Sequence, residues 1–152
     1  MSARCVTIAV LLAALAMPLP AAAQAAYDAA LAKKLGADDY GMRTYVMAFL
    51  RAGPNRDRSA EEAQTLQRAH MANINRLAAA GKLILAGPFA DNGPLRGIYI
   101  FDVATVAEAE ALTKTDPAIQ AGSLVMELRP WYGSAALMMV NEVHGRIEKT
   151  RP

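Results

Sequence analysis

The sequence predicts an α+β fold built on a βαββαβ order of elements, and three observations carry that expectation. Short runs of β-formers alternate with two longer stretches of helical periodicity. Each helical stretch opens on a capping box, Ser59-Ala60-Glu61-Glu62 and Thr105-Val106-Ala107-Glu108. The turn sequence Asp91-Asn92-Gly93-Pro94 separates the second and third apolar runs and implies a hairpin.

The first strand spans residues 44–50 and is apolar on both alternate faces. Tyr45, Met47 and Phe49 lie on one side, Val46, Ala48 and Leu50 on the other. Gly53-Pro54-Asn55 breaks it. A long helix follows from the Ser59 cap to about Ala80, where Gly81 stops it; Ala63, Leu66, His70, Ile74 and Leu77 fall on one stripe. Residues 83–86 form the second strand and residues 97–103 the third. The helix capped by Thr105 is expected to end at Asp116-Pro117, because the residue before a proline resists helical geometry. Residues 124–128 make the last strand, closing at Arg129-Pro130-Trp131. This is the ferredoxin-like arrangement, a four-stranded antiparallel sheet with both crossover helices on one face. The opposite face is equally apolar, and leaving it bare would expose a large patch. A second copy of the sheet is the simplest cover, so a homodimer is expected.

The flanks differ from this core. Residues 1–23 have the make-up of a secretory signal peptide: Arg4, an apolar stretch over residues 6–19, then Ala21-Ala22-Ala23. The stretch is short of the roughly 20 apolar residues of a membrane span. Ala23-Gln24-Ala25 offers a second cleavage choice. The expected location is periplasmic or secreted, with no membrane association once the signal is removed. Residues 24–42 form an N-terminal helical extension, with Tyr27, Leu31 and Leu35 at helical spacing before Gly36. The main domain occupies residues 43–132. Residues 133–152 are a C-terminal helical tail whose stripe of Ala136, Val140, Val143 and Ile147 could dock on a partner or on the chain's own sheet edge. Met138 and Met139 read as packing residues.

Composition removes several functions. The chain has 152 residues, 54% apolar and 20% charged, which is one domain with ample core material. Its net charge is +2 without a block of like charge, so a nucleic-acid-binding surface is not expected. The single cysteine precludes an internal disulfide, a Cys-based zinc site or an iron–sulfur cluster, and two histidines are too few for a multi-histidine metal centre. No Gly-rich phosphate loop, G-x-S-x-G elbow or H-E-x-x-H occurs. The expectation is therefore no cofactor and no metal.

His70 is the informative position. It lies among the core-facing residues of the first long helix, and a buried imidazole without a partner costs a few kcal/mol. Asp116, at the end of the second crossover, is the leading partner. A paired carboxylate fixes the imidazole tautomer and readies it as a general base. The bland alternative is a His–Asp bond that merely satisfies a buried histidine. His144 reads as a surface or packing residue, and Gly87-Pro88-Phe89 as turn chemistry.

The ordered set His70-Met71-Ala72-Asn73 with Leu77 and Gly81, Leu85-Ala86-Gly87-Pro88-Phe89, Gly97-Ile98-Tyr99-Ile100-Phe101, Asp116-Pro117 and Arg129-Pro130-Trp131 resembles the YCII-related (YciI-like) domain family. The resemblance spans about residues 43–132. It implies a dimeric α/β barrel like that of muconolactone isomerase, and an active-site dyad corresponding to His70 and Asp116. The family it resembles includes a lactone dehalogenase acting by elimination. The expected function is a cofactor-free enzyme of lyase or isomerase type, acting on a cyclic or carboxylated small molecule. His70 is its base, Asp116 the orienting partner, and Phe89 and Trp131 are apolar walls for the substrate. A non-catalytic small-molecule-binding module and a structural homodimer are the alternatives.

Overall fold

The chain's architecture, from a computed structural model, is described for residues 26–91 and 93–150. The segment read as a signal peptide, and Asn92 of the hairpin turn, lie outside the described residues. The order is α1 (Ala29–Leu35), β1 (Met42–Ala52), α2 (Ala60–Ala79), β2 (Leu83–Pro88), β3 (Leu95–Phe101), α3 (Val106–Thr113), α4 (Pro117–Gln120), β4 (Leu124–Ser134), a 3₁₀ turn (Ala135–Met139) and α5 (Val140–Ile147). The four strands form one antiparallel sheet in the order β2-β3-β1-β4, as the ferredoxin-like arrangement requires. Both β1 and β4 run beyond their expected limits, because they pair along their whole length from Met42↔Ser134 to Ala52↔Leu124. Pro130 does not stop β4, since an edge strand tolerates a residue without an N–H.

Both capping boxes form. The Glu62 N–H donates to Ser59 Oγ at 3.2 Å while Ser59 N–H donates to Glu62 Oε2 at 2.8 Å, and Thr105 and Glu108 repeat the pattern. The second crossover departs from expectation. Its helix ends at Thr113, and Asp116-Pro117 opens a separate short helix instead of terminating the first. The cause is local: Asp116 is extended and its carboxylate accepts the Ala118 N–H at 2.9 Å, while Pro117 occupies the first helical position, where no N–H is needed.

Two apolar clusters sandwich the sheet. On one face Val46, Ala48, Leu50, Tyr99 and Phe101 pack under Leu77 of α2 and Ala109 of α3. On the other, Tyr45, Ile84 and Ile100 are covered by Leu137, Met138 and Val140, with Trp131 beside them. The second face is therefore not helix-free, which removes the premise from which a homodimer was expected: the chain's own C-terminal segment lies on it. The docking residues also differ from the expected stripe. The 3₁₀ turn takes Ala136 out of phase with the helix, Val140 alone of the stripe docks, and Val143 and Ile147 are left 42% and 74% exposed. Asn141 ties α5 to the edge strand by donating to the Leu83 carbonyl at 2.9 Å.

Two bulges interrupt the sheet. Between Leu50↔Gly97 and Arg51↔Leu95, Arg96 is the extra residue; between Leu83↔Phe101 and Leu85↔Ile100, Ile84 is. The latter lets Ile84 and its neighbour Leu85 both join the tail-side cluster.

Candidate active site

His70 projects from the middle of α2 toward the sheet and is 9% exposed. Its Nδ1 stands 2.9 Å from each carboxylate oxygen of Asp116, which is buried. Because a carboxylate only accepts, Nδ1 carries the proton and Nε2 is left with its lone pair in the neutral ring. Asp116 is itself held in place. Its own backbone begins α4, and the preceding Thr115 donates to Asn73 Oδ1 at 3.1 Å and accepts from Arg76 Nη2 at 2.8 Å. Both of those partners belong to α2, so the helix that presents the histidine also holds the turn that presents the aspartate.

Tyr99 of β3 completes the group. Its hydroxyl lies 3.3 Å from His70 Nε2, and the two rings stack with centroids 6.4 Å apart. Burial, and secondly the charge of Asp116, push the Tyr99 hydroxyl far above its ordinary value of 10.0. It is therefore a hydrogen-bond donor throughout the neutral range.

A cavity of about 1050 Å³ opens in front of these residues. Its walls come from α2, the edge strand β2 and α5, and both His70 and Tyr99 line it. Ala63 and Leu66, on the expected core stripe of α2, face this cavity instead of solid core. That explains why they stay incompletely buried while Leu77, about three turns beyond Leu66, is sealed. His144 also lines the cavity from α5, with Nε2 3.5 Å from Glu148. Among the described residues no three His, Cys, Asp or Glu side chains converge to hold a metal ion.

The family model for the YCII-related domain matches residues 47–132, more than half of the chain. The chain belongs to the YCII-related domain family. A YCII-related chain was expected from the ordered motifs between His70 and Trp131, and the match covers them all. No curated protein matches the sequence. Among solved structures, one similar chain is a 5-chloro-2-hydroxyhydroquinone dehydrochlorinase from Burkholderia phenoliruptrix in complex with 2,5-dihydroxybenzoquinone. It is 20% identical, covers 57% of this chain and 92% of its own, and has a TM-score of 0.43.

Of the four site residues expected in this YCII-related domain, the fold brings together two. His70 and Asp116 meet; Phe89 and Trp131 do not join them, and neither lines the cavity. Trp131 packs on Tyr45 across the sheet, with ring centroids 5.8 Å apart, and Phe89 stands 42% exposed beyond the end of β2. Tyr99 is the site residue that sequence reasoning passed over as a strand side chain.

Proposed function

We propose that this YCII-related protein is a cofactor-free enzyme of lyase or isomerase type that moves a proton on a cyclic or carboxylated small molecule. One observation carries the reading: the imidazole of His70 has a buried carboxylate behind Nδ1 and a cavity in front. In the reaction, Nε2 takes a proton from carbon beside a carbonyl, and the electron pair of that C–H bond moves into the carbonyl to form an enolate. Asp116 stabilises the imidazolium that results. Tyr99 is a donor for the enolate oxygen once substrate displaces it from Nε2. The proton then returns to a different carbon in an isomerisation, or the enolate expels a leaving group in an elimination. A positioned base of this kind contributes about 10²–10⁴-fold to rate.

One observation favours the alternative of a non-catalytic, ligand-binding or structural homodimer: both ring nitrogens of His70 already have partners. Deuterium uptake separates the two. Wild type and His70→Gln would be incubated in D₂O with a panel of lactones and 2-oxo acids, and C–H exchange followed by proton NMR. Exchange in wild type that His70→Gln abolishes is expected; exchange in neither leaves the binding reading in possession of the cavity.

Export rests on residues 1–23, and N-terminal sequencing of the secreted chain tests it. Assembly as a homodimer has its support in apolar side chains left outward, Val125 and Tyr132 of β4 and Val143 and Ile147 of α5. Light scattering on the purified protein measures it.

A further inference from the structure

The cavity in front of His70 has an excess of positive charge. Arg56, Arg58 and Arg96 line it together with one carboxylate, Glu148, which already neighbours His144. Even with Asp116 counted behind the imidazole, guanidinium groups outnumber carboxylates. Arg58 is committed to the backbone: it donates to the carbonyl of Asn55 and, at 2.7 Å, to that of Ala121. Arg56 and Arg96 have no side-chain hydrogen bond or ion pair among the described residues.

Both free arginines stand on backbone that is held in place. Arg56 follows a loop pinned to the end of the second crossover, with Gly53 N–H donating to Ser123 O at 2.8 Å and Asn55 N–H to Gly122 O at 3.0 Å. Arg96 is the extra residue of the β3 bulge. In an unbroken strand, residues 96 and 99 would face opposite ways. The bulge takes Arg96 out of that regular alternation, and both Arg96 and Tyr99 line the cavity, which reaches around the β2 edge. The bulge also depends on Gly97, where a Cβ would come within 2.5 Å of the Gly87 carbonyl oxygen on the neighbouring strand.

We propose that Arg56 and Arg96 form an anion subsite of this cavity, and that its ligand is a small carboxylate with an apolar ring or chain. The planar guanidinium fork matches a carboxylate, and Leu66, Ile74, Leu83 and Leu85 supply apolar wall for the rest of the molecule. Held by its carboxylate at the arginines, such a molecule presents its other end to His70. The assignment rests on reading the cavity as the substrate site of His70.

Calorimetric titration with benzoate and with its uncharged counterpart benzamide tests the subsite. Benzoate is expected to bind wild type more tightly than benzamide. Arg56→Gln and Arg96→Gln should each weaken benzoate by about tenfold, with little change for benzamide. Added salt should weaken benzoate alone. Both arginines are exposed, so the variants keep the fold, and circular dichroism verifies it. The subsite is overturned if benzoate does not bind, if it binds no better than benzamide, or if the double variant binds it like wild type. Should benzoate binding need the arginines while deuterium exchange is indifferent to His70→Gln, the subsite stands and the proton-transfer reading fails.

Discussion

His70 Nδ1 lies 2.9 Å from both oxygens of Asp116, residues that are 46 apart in sequence and meet across the α2–α4 contact. The symmetric approach directs the ring N–H between the two oxygens and leaves Asp116 one further backbone donor, the Ala118 N–H. A pair like this serves chemistry or core satisfaction equally well by geometry. What distinguishes them is access to the imidazole from the cavity that His70 lines, and that access gives a measurable difference.

His70→Ala is expected to destabilise the protein by about 1–3 kcal/mol, the cost of an acceptor that loses its partner but regains water from the cavity. A sealed pair broken on one side would cost about 3–5 kcal/mol. Urea unfolding of the variant measures which regime holds, and a loss in the higher range would mark the pair as core structure.

Tyr99→Phe should flatten the alkaline limb of stability. The folded protein holds the Tyr99 hydroxyl protonated above its unfolded value of 10.0, with burial the first cause. Its contribution is therefore complete below pH 10 and is lost as pH rises above that value. Tyr45 and Tyr132 are raised as well, so the variant attenuates the limb without abolishing it. Unfolding curves at roughly pH 8 and pH 11 give the comparison.

At the acid end, the capping boxes act in the opposite sense. Hydrogen bonds from the Thr105 backbone and side chain hold Glu108 below its ordinary 4.5, and Ser59 does the same for Glu62. Stability from each carboxylate is present above 4.5 and is lost as pH falls through the lower folded value. Glu108→Gln, which keeps an oxygen acceptor but not the charge, should show a smaller loss than wild type in thermal melts taken at falling pH.

Gly97→Ala should cost about 1–3 kcal/mol or more, since the added methyl meets the backbone of Gly87 and Pro88, not a side chain that can swing away. The same change shifts the bulge, so benzoate affinity should fall alongside the melting temperature. Retained affinity in a destabilised variant would show that the bulge does not aim Arg96.

Much of this architecture was legible in the sequence because local chemistry and global order agree. Ser59/Glu62 and Thr105/Glu108 mark the helix starts wherever they occur, and the stripe through His70 and Leu77 identifies the face of α2 that meets the sheet. Asp116 was legible as a partner from the order of elements, though its place as a cap was not, because Asp-Pro both ends and begins helices. Trp131 failed for a reason of register. The side of the sheet it falls on depends on β4 continuing through Pro130, and a proline inside a run argues against a strand. Tyr99 was hidden by its own apolar alternation with Ile98 and Ile100, since the hydroxyl matters only once α2 stacks over β3. Arg96 was hidden by the bulge, for which no residue pattern gave warning.

The pairing of β1 with β4 has a consequence for how the chain acquires its structure. The central strand is made first and its two neighbours come later, the last of them ending next to the tail. The hydrogen bond from Tyr45 Oη to the Ser134 carbonyl closes a loop of 89 residues. Contacts of such long span are entropically costly to form and slow the search for the native state. A chain growing from its N-terminus can pair β1, β2 and β3 once Phe101 is made, but the outer edge of β1 stays unpaired until β4 has been synthesised. A chain interrupted before β4 would carry the long edge of β1 open along Met42–Ala52, a surface that invites pairing with a strand of another chain.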